Sequence, residues 1–213
     1  MKNFVKKYWH GIPILVYLVV YMACFVWVEK RTVDNFTVIH MALDDMIPFV
    51  EIFVLPYFCW FAYIAIFVVY FIFFDKEEYT RLFTTLTAGM TLFIIISALW
   101  PNMHELRPNL EALGRENVFT RMIGGLYTTD TCTNIVPSIH VYNSIMVQLS
   151  IMKSEKLKKH KIVRWGSFVL CVLIVLSTVF IKQHSVFDMI TAFALGLIMY
   201  FITYKKNFVF LRF

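Results

Sequence analysis

Charged residues are scarce in this sequence of 213 residues, where Asp, Glu, Lys and Arg together make up 16%. Apolar residues make up 60% and aromatic residues 18%, whereas soluble domains average about 25% charged and about 45–50% apolar residues. This composition excludes an ordinary soluble domain and indicates a polytopic membrane protein. The formal charge of +6 is then typical of basic cytoplasmic loops, and we expect no nucleic-acid partner.

Cysteine is also rare, and the four cysteines form no C-x-x-C pair. Cys24, Cys59 and Cys171 lie in apolar runs and are predicted to be core residues. Cys132 lies in a loop and is predicted to be a free thiol. The basic start M-K-N-F-V-K-K precedes a long apolar run that lacks a small-x-small cleavage site, so we expect a retained first span rather than a cleaved signal peptide.

Long apolar runs predict an all-α bundle of six transmembrane helices, because each run is near the ~20 residues that cross a bilayer core. We expect one integral membrane domain, 1–213, without internal repeats. The spans are predicted at about 12–28, 46–74, 82–100, 137–152, 165–181 and 185–204. Segment 33–43 is predicted to form a helix on the membrane surface, and 101–136 is predicted to be the longest loop.

The basic residues predict the orientation of this bundle. If the N-terminus is cytoplasmic, 14 of the 20 lysines and arginines fall on inner segments and six on outer segments. This excess predicts that both termini are cytoplasmic, in a plasma membrane or an inner membrane. The basic run 153–164 is then a solvated turn that faces anionic lipid.

The same orientation places three polar clusters at the outer membrane face. They are Arg107-Pro108 after the third span, Pro137-Ser138-Ile139-His140 at the start of the fourth, and Lys182 to Asp188 between the fifth and sixth. Clusters that are far apart in sequence but lie at one membrane depth indicate an active site at that face. The alternative is that the three clusters are unrelated polar residues on separate loops.

The first two clusters contain residue types that bind phosphate. Arg107 can hold a phosphoryl group with two hydrogen bonds. Pro137 fits the first turn of a helix, where free N–H groups and the Ser138 hydroxyl would form an anion cradle. His140, in the same turn, can protonate a leaving oxygen.

His184 and Asp188 supply a nucleophile and its partner in the third cluster. Residues four apart lie on one face of a helix, so the Asp188 carboxylate can hold one ring nitrogen of His184 while the other attacks phosphorus. A structural ion pair that closes a helix end is the alternative interpretation of this pair.

The motifs R-P, P-S-I-H and S-x6-H-x3-D resemble the type 2 phosphatidic acid phosphatase superfamily, whose motifs read K-x6-R-P, P-S-G-H and S-R-x5-H-x3-D. The resemblance implies a phosphohistidine on His184, oriented by Asp188, with His140 as general acid. It also implies that Arg107, Ser138 and the backbone at Ile139 bind the phosphoryl oxygens. No metal or other cofactor is expected from it.

Three positions depart from these motifs: Trp100 replaces the lysine, Thr178 replaces the arginine, and Ile139 replaces the glycine. Two cations that would bind phosphate are therefore missing. We expect Lys182 to supply part of this charge, with Arg115, Arg121 or His104 adding more. The departures also resemble the sphingomyelin synthase and inositol phosphorylceramide synthase branch, which transfers a head group to a lipid alcohol.

The sequence therefore predicts an enzyme that hydrolyses the phosphomonoester or pyrophosphate of a membrane lipid. A lipid head-group phosphotransferase is the first alternative. Two alternatives are not enzymes. One is a transporter with a proton or metal site at His140, His184 and Asp188, and the other is a non-catalytic lipid-binding protein. The lipid substrate is the one partner expected, and the oligomeric state is left open.

Other polar residues near the outer face have two interpretations. Asp44, Asp45 and Glu51 either cap helices in solvent or line the entrance of the site, and we favour the caps. Tyr127 and Asp130 fit either a loop role or contact with the substrate.

Overall fold

The computed structural model describes residues 7–212, and its regular structure is almost entirely helical. In this range eight α-helices follow in the order α1 (Ile12–Lys30), α2 (Ala42–Met46), α3 (Val54–Phe74), α4 (Lys76–Leu99), α5 (Val118–Thr129), α6 (Ile139–Lys153), α7 (Lys161–Phe180) and α8 (Val186–Tyr200). Short 3-10 turns are Trp9–Gly11, Glu51–Phe53 and Glu111–Leu113, and a π-helical segment, Phe201–Lys205, continues α8. Lys2 and Lys6 of the basic N-terminal segment lie outside the described residues.

Five helical segments of the described chain are long and apolar enough to cross a membrane. They are Trp9–Lys30, Glu51–Phe74, Lys76–Leu99, Lys161–Phe180 and Val186–Lys205. The predicted class, an all-α polytopic membrane protein, is therefore confirmed.

Helix α6, which corresponds to the predicted fourth span, is shorter and more polar than these five. It has 15 residues, fewer than the roughly 20 that a bilayer core requires. It packs against α3, α4, α7 and α8, so its neighbours separate most of its surface from lipid. Buried polar residues such as Asn143 and Ser144 are tolerated there because they face protein.

Three helix starts differ from the predicted spans by four residues or more, and one of them is that of α7, which begins at Lys161 instead of residue 165. The second span was expected from residue 46, but α3 begins at Val54, after the separate short helix α2. The third was expected from residue 82, but α4 begins at Lys76, because Asp75 caps it by accepting a hydrogen bond from the Glu78 N–H at 3.3 Å. Hydropathy alone missed this polar first turn.

The predictions for the connecting segments 33–43 and 101–136 are wrong. Segment 33–43 forms no surface helix; it contains strand β1 (Thr37–Val38), which pairs in parallel with β2 (Asn102–Met103). Segment 101–136 is more than a loop, because it contains α5, whose first turn is capped by the Asn117 side chain. Strand pairing and capping depend on contacts and short signals that apolar run length does not report.

The close packing of α4 on α6 depends on Gly89. A Cβ atom at this position would lie 2.0 Å from the Tyr142 ring, so no larger residue fits without movement. The Tyr142 hydroxyl crosses the same contact and donates a hydrogen bond to the Thr85 carbonyl at 2.7 Å. This contact fixes α6, and with it the residues at its N-terminal end.

Side chains and strands join the connecting segments at the end of the bundle where α6 and α8 begin, which we call the site end. The Asn102 side chain accepts hydrogen bonds from the N–H groups of Ile135 and Val136, at 2.8 and 3.1 Å. Met103 bridges to Thr133. The segments before α2, α5 and α6 thus meet at one end of the molecule.

Candidate active site

His184 and Asp188 form a buried pair at the start of α8. The Nδ1 atom of His184 lies 3.2 Å from Oδ2 of Asp188, and the same oxygen accepts the Ser185 N–H at 2.9 Å. Since a carboxylate can only accept here, Nδ1 carries the proton and Nε2 keeps a lone pair. This arrangement suits a nucleophilic or basic imidazole.

His140 lies beside this pair, in the first turn of α6. Its ring is packed between Tyr57 and Trp60, with ring centroids 4.6 and 4.4 Å away. The rings of His140 and His184 are 5.7 Å apart between centroids. Two imidazoles at this separation can reach one phosphoryl group from two sides, as the resemblance requires.

Ser138 and Ile139 connect the two histidines through the start of α6. Ser138 is the N-cap: its hydroxyl accepts the Val141 N–H at 3.3 Å, and its own N–H donates to the Asp188 carbonyl at 3.3 Å. The helix begins at Ile139, so Pro137 lies before the helix and the prediction that placed it in the first turn is wrong. Ser138 is fully buried, whereas Ile139 lines a small cavity with both histidines.

Arg107 contacts the site through a hydrogen bond to Gln183, the residue before His184. Its guanidinium donates to the Tyr127 carbonyl at 3.2 Å, to the Asp130 carbonyl at 2.6 Å and to the Gln183 side chain. It also stacks 4.3 Å from the centre of the Tyr127 ring. Arg107 is therefore held next to the His184 loop, with a buried Nε that has no partner among the described residues.

A hydrogen-bonded chain that the sequence did not reveal continues from Arg107 to the His140 pocket. Gln183 donates to Oδ2 of Asp130 at 2.9 Å, and the Tyr57 hydroxyl donates to the same oxygen at 2.6 Å. Tyr57 in turn stacks on His140. Tyr57 is one aromatic residue among many, and no sequence signal distinguishes it. Gln183 lies inside the third motif, directly before His184, but the motif itself predicts no role for it.

Lys182 does not lie with the histidines in this structure. Its ammonium donates to the carbonyls of Asp44 and Ile47, at 2.7 and 2.6 Å. It lines a second cavity together with His40 and Asp45. Burial lowers the pKa of Lys182, and the neighbouring carboxylates oppose this shift. Its role as a phosphate ligand stays a prediction that these contacts do not favour.

Asp44 is buried rather than solvated, with 2% of its surface exposed. Its carboxylate accepts the Ser185 hydroxyl at 2.6 Å and the Val186 N–H at 2.8 Å. It therefore binds the start of α8 next to His184, which corrects its interpretation as a solvent-facing cap. Asp45 is exposed and pairs with His40.

The other cations expected at the site have different partners. Arg115 forms an ion pair with Glu51 at 2.9 Å, and Arg121 is exposed beside a separate surface pocket. His104 accepts the Leu106 N–H on Nδ1 at 3.1 Å and donates from Nε2 to the Gln183 carbonyl at 2.9 Å. Burial, followed by the nearby His184 and Arg107, lowers the pKa of His104 to about 4, so it is neutral at pH 7.

Comparison with known proteins assigns the family. The sequence model of the PAP2 superfamily matches residues 105–211, which is half of the chain and includes Arg107, His140 and His184. The chain belongs to the PAP2 superfamily. The match does not extend to α1, α3 and α4, so Tyr57 and Trp60 enter this PAP2 site from outside the matched range. No curated protein and no solved structure matches the chain.

Membership of the PAP2 superfamily points to phosphatase or related phosphotransferase activity on a phosphate-bearing substrate. The long apolar helices make the protein an integral membrane protein. Both assignments agree with the predicted enzyme class.

Proposed function

We propose that this protein cleaves the phosphate ester of a membrane lipid through a phosphohistidine on His184. The single observation that carries the proposal is the pair of imidazoles 5.7 Å apart between ring centroids, one of them held on Nδ1 by a buried carboxylate. Hydrolysis of a lipid phosphomonoester or pyrophosphate is the leading reaction, on the extracytoplasmic side of the membrane.

The reaction has two balanced steps. In the first, Nε2 of His184 forms a bond to phosphorus while the bond from phosphorus to the ester oxygen breaks, and His140 gives its proton to that oxygen. In the second, water attacks phosphorus, His140 takes a proton from it, and the N–P bond breaks. Asp188 stabilises the positive charge that develops on His184.

Arg107 and the N–H groups at the start of α6 would stabilise the phosphoryl oxygens. Arg107 is already ordered by Gln183 and by loop carbonyls, so little reorganisation is needed when a phosphate arrives. The free N–H groups that follow Ser138 add the positive end of a helix dipole.

Head-group transfer to a second lipid is the other candidate, and the two substituted motif positions favour it. Thr178 is fully buried and its hydroxyl donates to the Val175 carbonyl at 2.8 Å. The Trp100 indole donates to the Thr37 hydroxyl at 2.9 Å. Neither position supplies a cation. A site with fewer cations suits a phosphodiester better than a phosphomonoester dianion, because the phosphodiester carries one negative charge fewer.

Phosphate release by the purified full chain in detergent tests the proposal on a panel of lipid phosphates. We expect His184→Ala to lower kcat by about 10³-fold or more, because the covalent route is lost, and to abolish a trapped phosphoenzyme that survives base and decays in acid. His160→Ala, exposed at the opposite end of the bundle, is the matched control and should keep wild-type turnover.

The outcomes separate the candidate functions. Turnover that survives EDTA and needs His184 supports the phosphohistidine route, whereas turnover abolished by EDTA points to a metal site. Labelled head group that appears on a second lipid identifies a transferase. No turnover on any lipid contradicts the proposal and favours a transporter or a binding protein.

A further inference from the structure

The small cavity that contains the two histidines is also lined by hydrogen-bond acceptors. This site cavity is lined by His140 and His184 together with Glu29, Asp130 and Asn134. No Lys or Arg is found among its described lining residues. Two carboxylates in a cavity that is proposed to accept a phosphate favour a substrate that also carries a positively charged or hydrogen-bond-donating group.

Glu29 reaches this cavity from the last turn of α1, outside the range matched by the PAP2 superfamily. Its carboxylate accepts hydrogen bonds from the Thr131 hydroxyl at 2.5 Å and from the Asn134 amide at 2.8 Å. These contacts hold the carboxylate beside the segment that leads into His140. An acidic side chain is thereby fixed next to the reacting groups, although the three family motifs do not include it.

Asn134 provides an independent sign of a ligand. Only 5% of its surface is exposed, and its Oδ1 atom has no hydrogen-bond partner among the described residues. A buried carbonyl oxygen without a partner costs roughly 1–3 kcal/mol, so such oxygens are paired with protein, ordered water or a bound ligand. Because Asn134 lines the site cavity, a hydrogen-bond donor on the substrate would satisfy it.

We propose that Glu29 and Asn134 form a head-group subsite that binds a hydroxyl or ammonium group carried next to the scissile phosphate of the lipid. The inference rests on the proposed function and narrows its substrate class. Two acceptors, one of them anionic, bind groups that donate hydrogen bonds and repel a further anion. Phosphatidic acid and polyprenyl pyrophosphates carry no such donor group and would leave the Asn134 Oδ1 atom unpaired.

The size of the cavity restricts this head group. Its volume is about 60 Å³, which is that of about two liquid water molecules at ~30 Å³ each. A phosphate with its head group needs more space than this, so a compact head group such as ethanolamine or glycerol displaces the lining less than a hexose would. Phe25 and Phe93 line the same cavity and add an apolar surface where the acyl-bearing part of the substrate can follow.

Turnover of lipids with identical acyl chains tests the subsite in the purified full chain. One series compares phosphatidylethanolamine and phosphatidylglycerol with phosphatidylmethanol, which lacks the donor; a second compares phosphatidylglycerophosphate with phosphatidic acid. In the series that the enzyme turns over, we expect the donor-bearing lipid to have a kcat/KM about 10-fold higher or more. Within the first series, a higher kcat/KM for phosphatidylethanolamine than for phosphatidylglycerol would show that the subsite prefers an ammonium, and the reverse would show that it prefers a hydroxyl.

The Glu29→Gln variant assigns this preference to its residue. Glutamine keeps the shape of the side chain and one acceptor but removes the charge. The ratio of kcat/KM for the donor-bearing lipid to kcat/KM for the donor-free lipid should therefore fall about 10-fold. Glu116→Gln, an exposed residue, should leave this ratio unchanged. If Glu29→Gln does not fold, Asn134→Gly makes the same test, because glycine tolerates the positive φ of 54° at this position.

Three results would overturn the inference. Equal turnover of lipids with and without the donor contradicts the subsite and leaves the proposed function intact. An equal loss on all lipids in Glu29→Gln shows that Glu29 is structural. No turnover of any lipid by the wild-type protein contradicts the proposed function as well.

Discussion

His104 links two loops of the site through two hydrogen bonds that require its neutral form. Its Nδ1 accepts a backbone N–H and its Nε2 donates to the carbonyl of Gln183, the residue before His184. A proton on Nδ1 would destroy the first of these bonds. The same residue therefore connects the segment that carries Arg107 to the nucleophile, and it does so only as a neutral imidazole.

Acidification should reduce the contribution of His104 to the stability of the folded protein. The folded pKa of His104 is about 4, below the ~6.5 of an unfolded histidine, so the unfolded chain takes up the proton first as pH falls. Stability from this residue is complete above pH ~6.5 and is lost between pH ~6.5 and ~4, by on the order of 3 kcal/mol. Thermal unfolding of the wild type at several pH values measures this loss.

The His104→Gln variant separates this effect from other acidic groups. Glutamine can also accept one hydrogen bond and donate another, but it does not titrate in this range. The difference in Tm between wild type and variant should therefore shrink as pH falls from 7 to 4.5. A difference that stays constant over this range would show that His104 does not control the acid response.

Hydrogen bonds hold the segment around α2 against the connection between α7 and α8. Lys182 donates to two of its carbonyls, and Asp44 accepts from Ser185 and Val186. Lys182 has a φ of 54°, a left-handed conformation that costs a non-glycine residue about 1 kcal/mol or more. Side-chain contacts on both segments compensate for this strain and position His184.

Replacing Lys182 by Met should reduce stability and activity together. Hydrogen bonds to charged groups contribute about 1.5–3 kcal/mol, and a loss of about 2 kcal/mol lowers Tm by about 4–8 °C in a chain of this length. The exposed Lys158→Met is the control and should leave both unchanged. If Lys182→Met instead raises KM strongly while Tm is unchanged, Lys182 binds the phosphate, as the sequence predicted.

The contact of α4 with α6 predicts a strong effect of one added methyl group. Gly89→Ala would place Cβ 2.0 Å from the Tyr142 ring, and the overpacking should cost about 3 kcal/mol or more. Gly166→Ala in α7 meets nothing within 4 Å and should be neutral or slightly stabilising. A Gly89→Ala protein that unfolds at the wild-type temperature would contradict the close packing.

The charge distribution predicts the orientation of the whole molecule. The site end should face the extracytoplasmic side and the α6–α7 turn the cytoplasm. In a Cys132→Ser background, an impermeant maleimide should label Glu116→Cys in intact cells and Lys156→Cys only after permeabilisation. Both positions are exposed. The opposite pattern would reverse the topology and place the site in the cytoplasm.

Composition was enough to predict the class of the molecule, and short motifs were enough to predict which histidines and carboxylate lie close together. Apolar runs determine whether a helix can cross a bilayer, and that property is local to each run. His140, His184 and Asp188 lie together because their two motifs stand at the starts of α6 and α8, and these two helix starts meet at one end of the bundle.

Only the tertiary structure decided which polar side chains face that site. Lys182 is two residues from His184 in sequence, yet it binds carbonyls near α2, and Glu29 reaches the site cavity from α1. Neither outcome can be read from periodicity, because a buried polar group takes the partner that packing brings within about 3 Å. Those partners lie more than a hundred residues away in the chain.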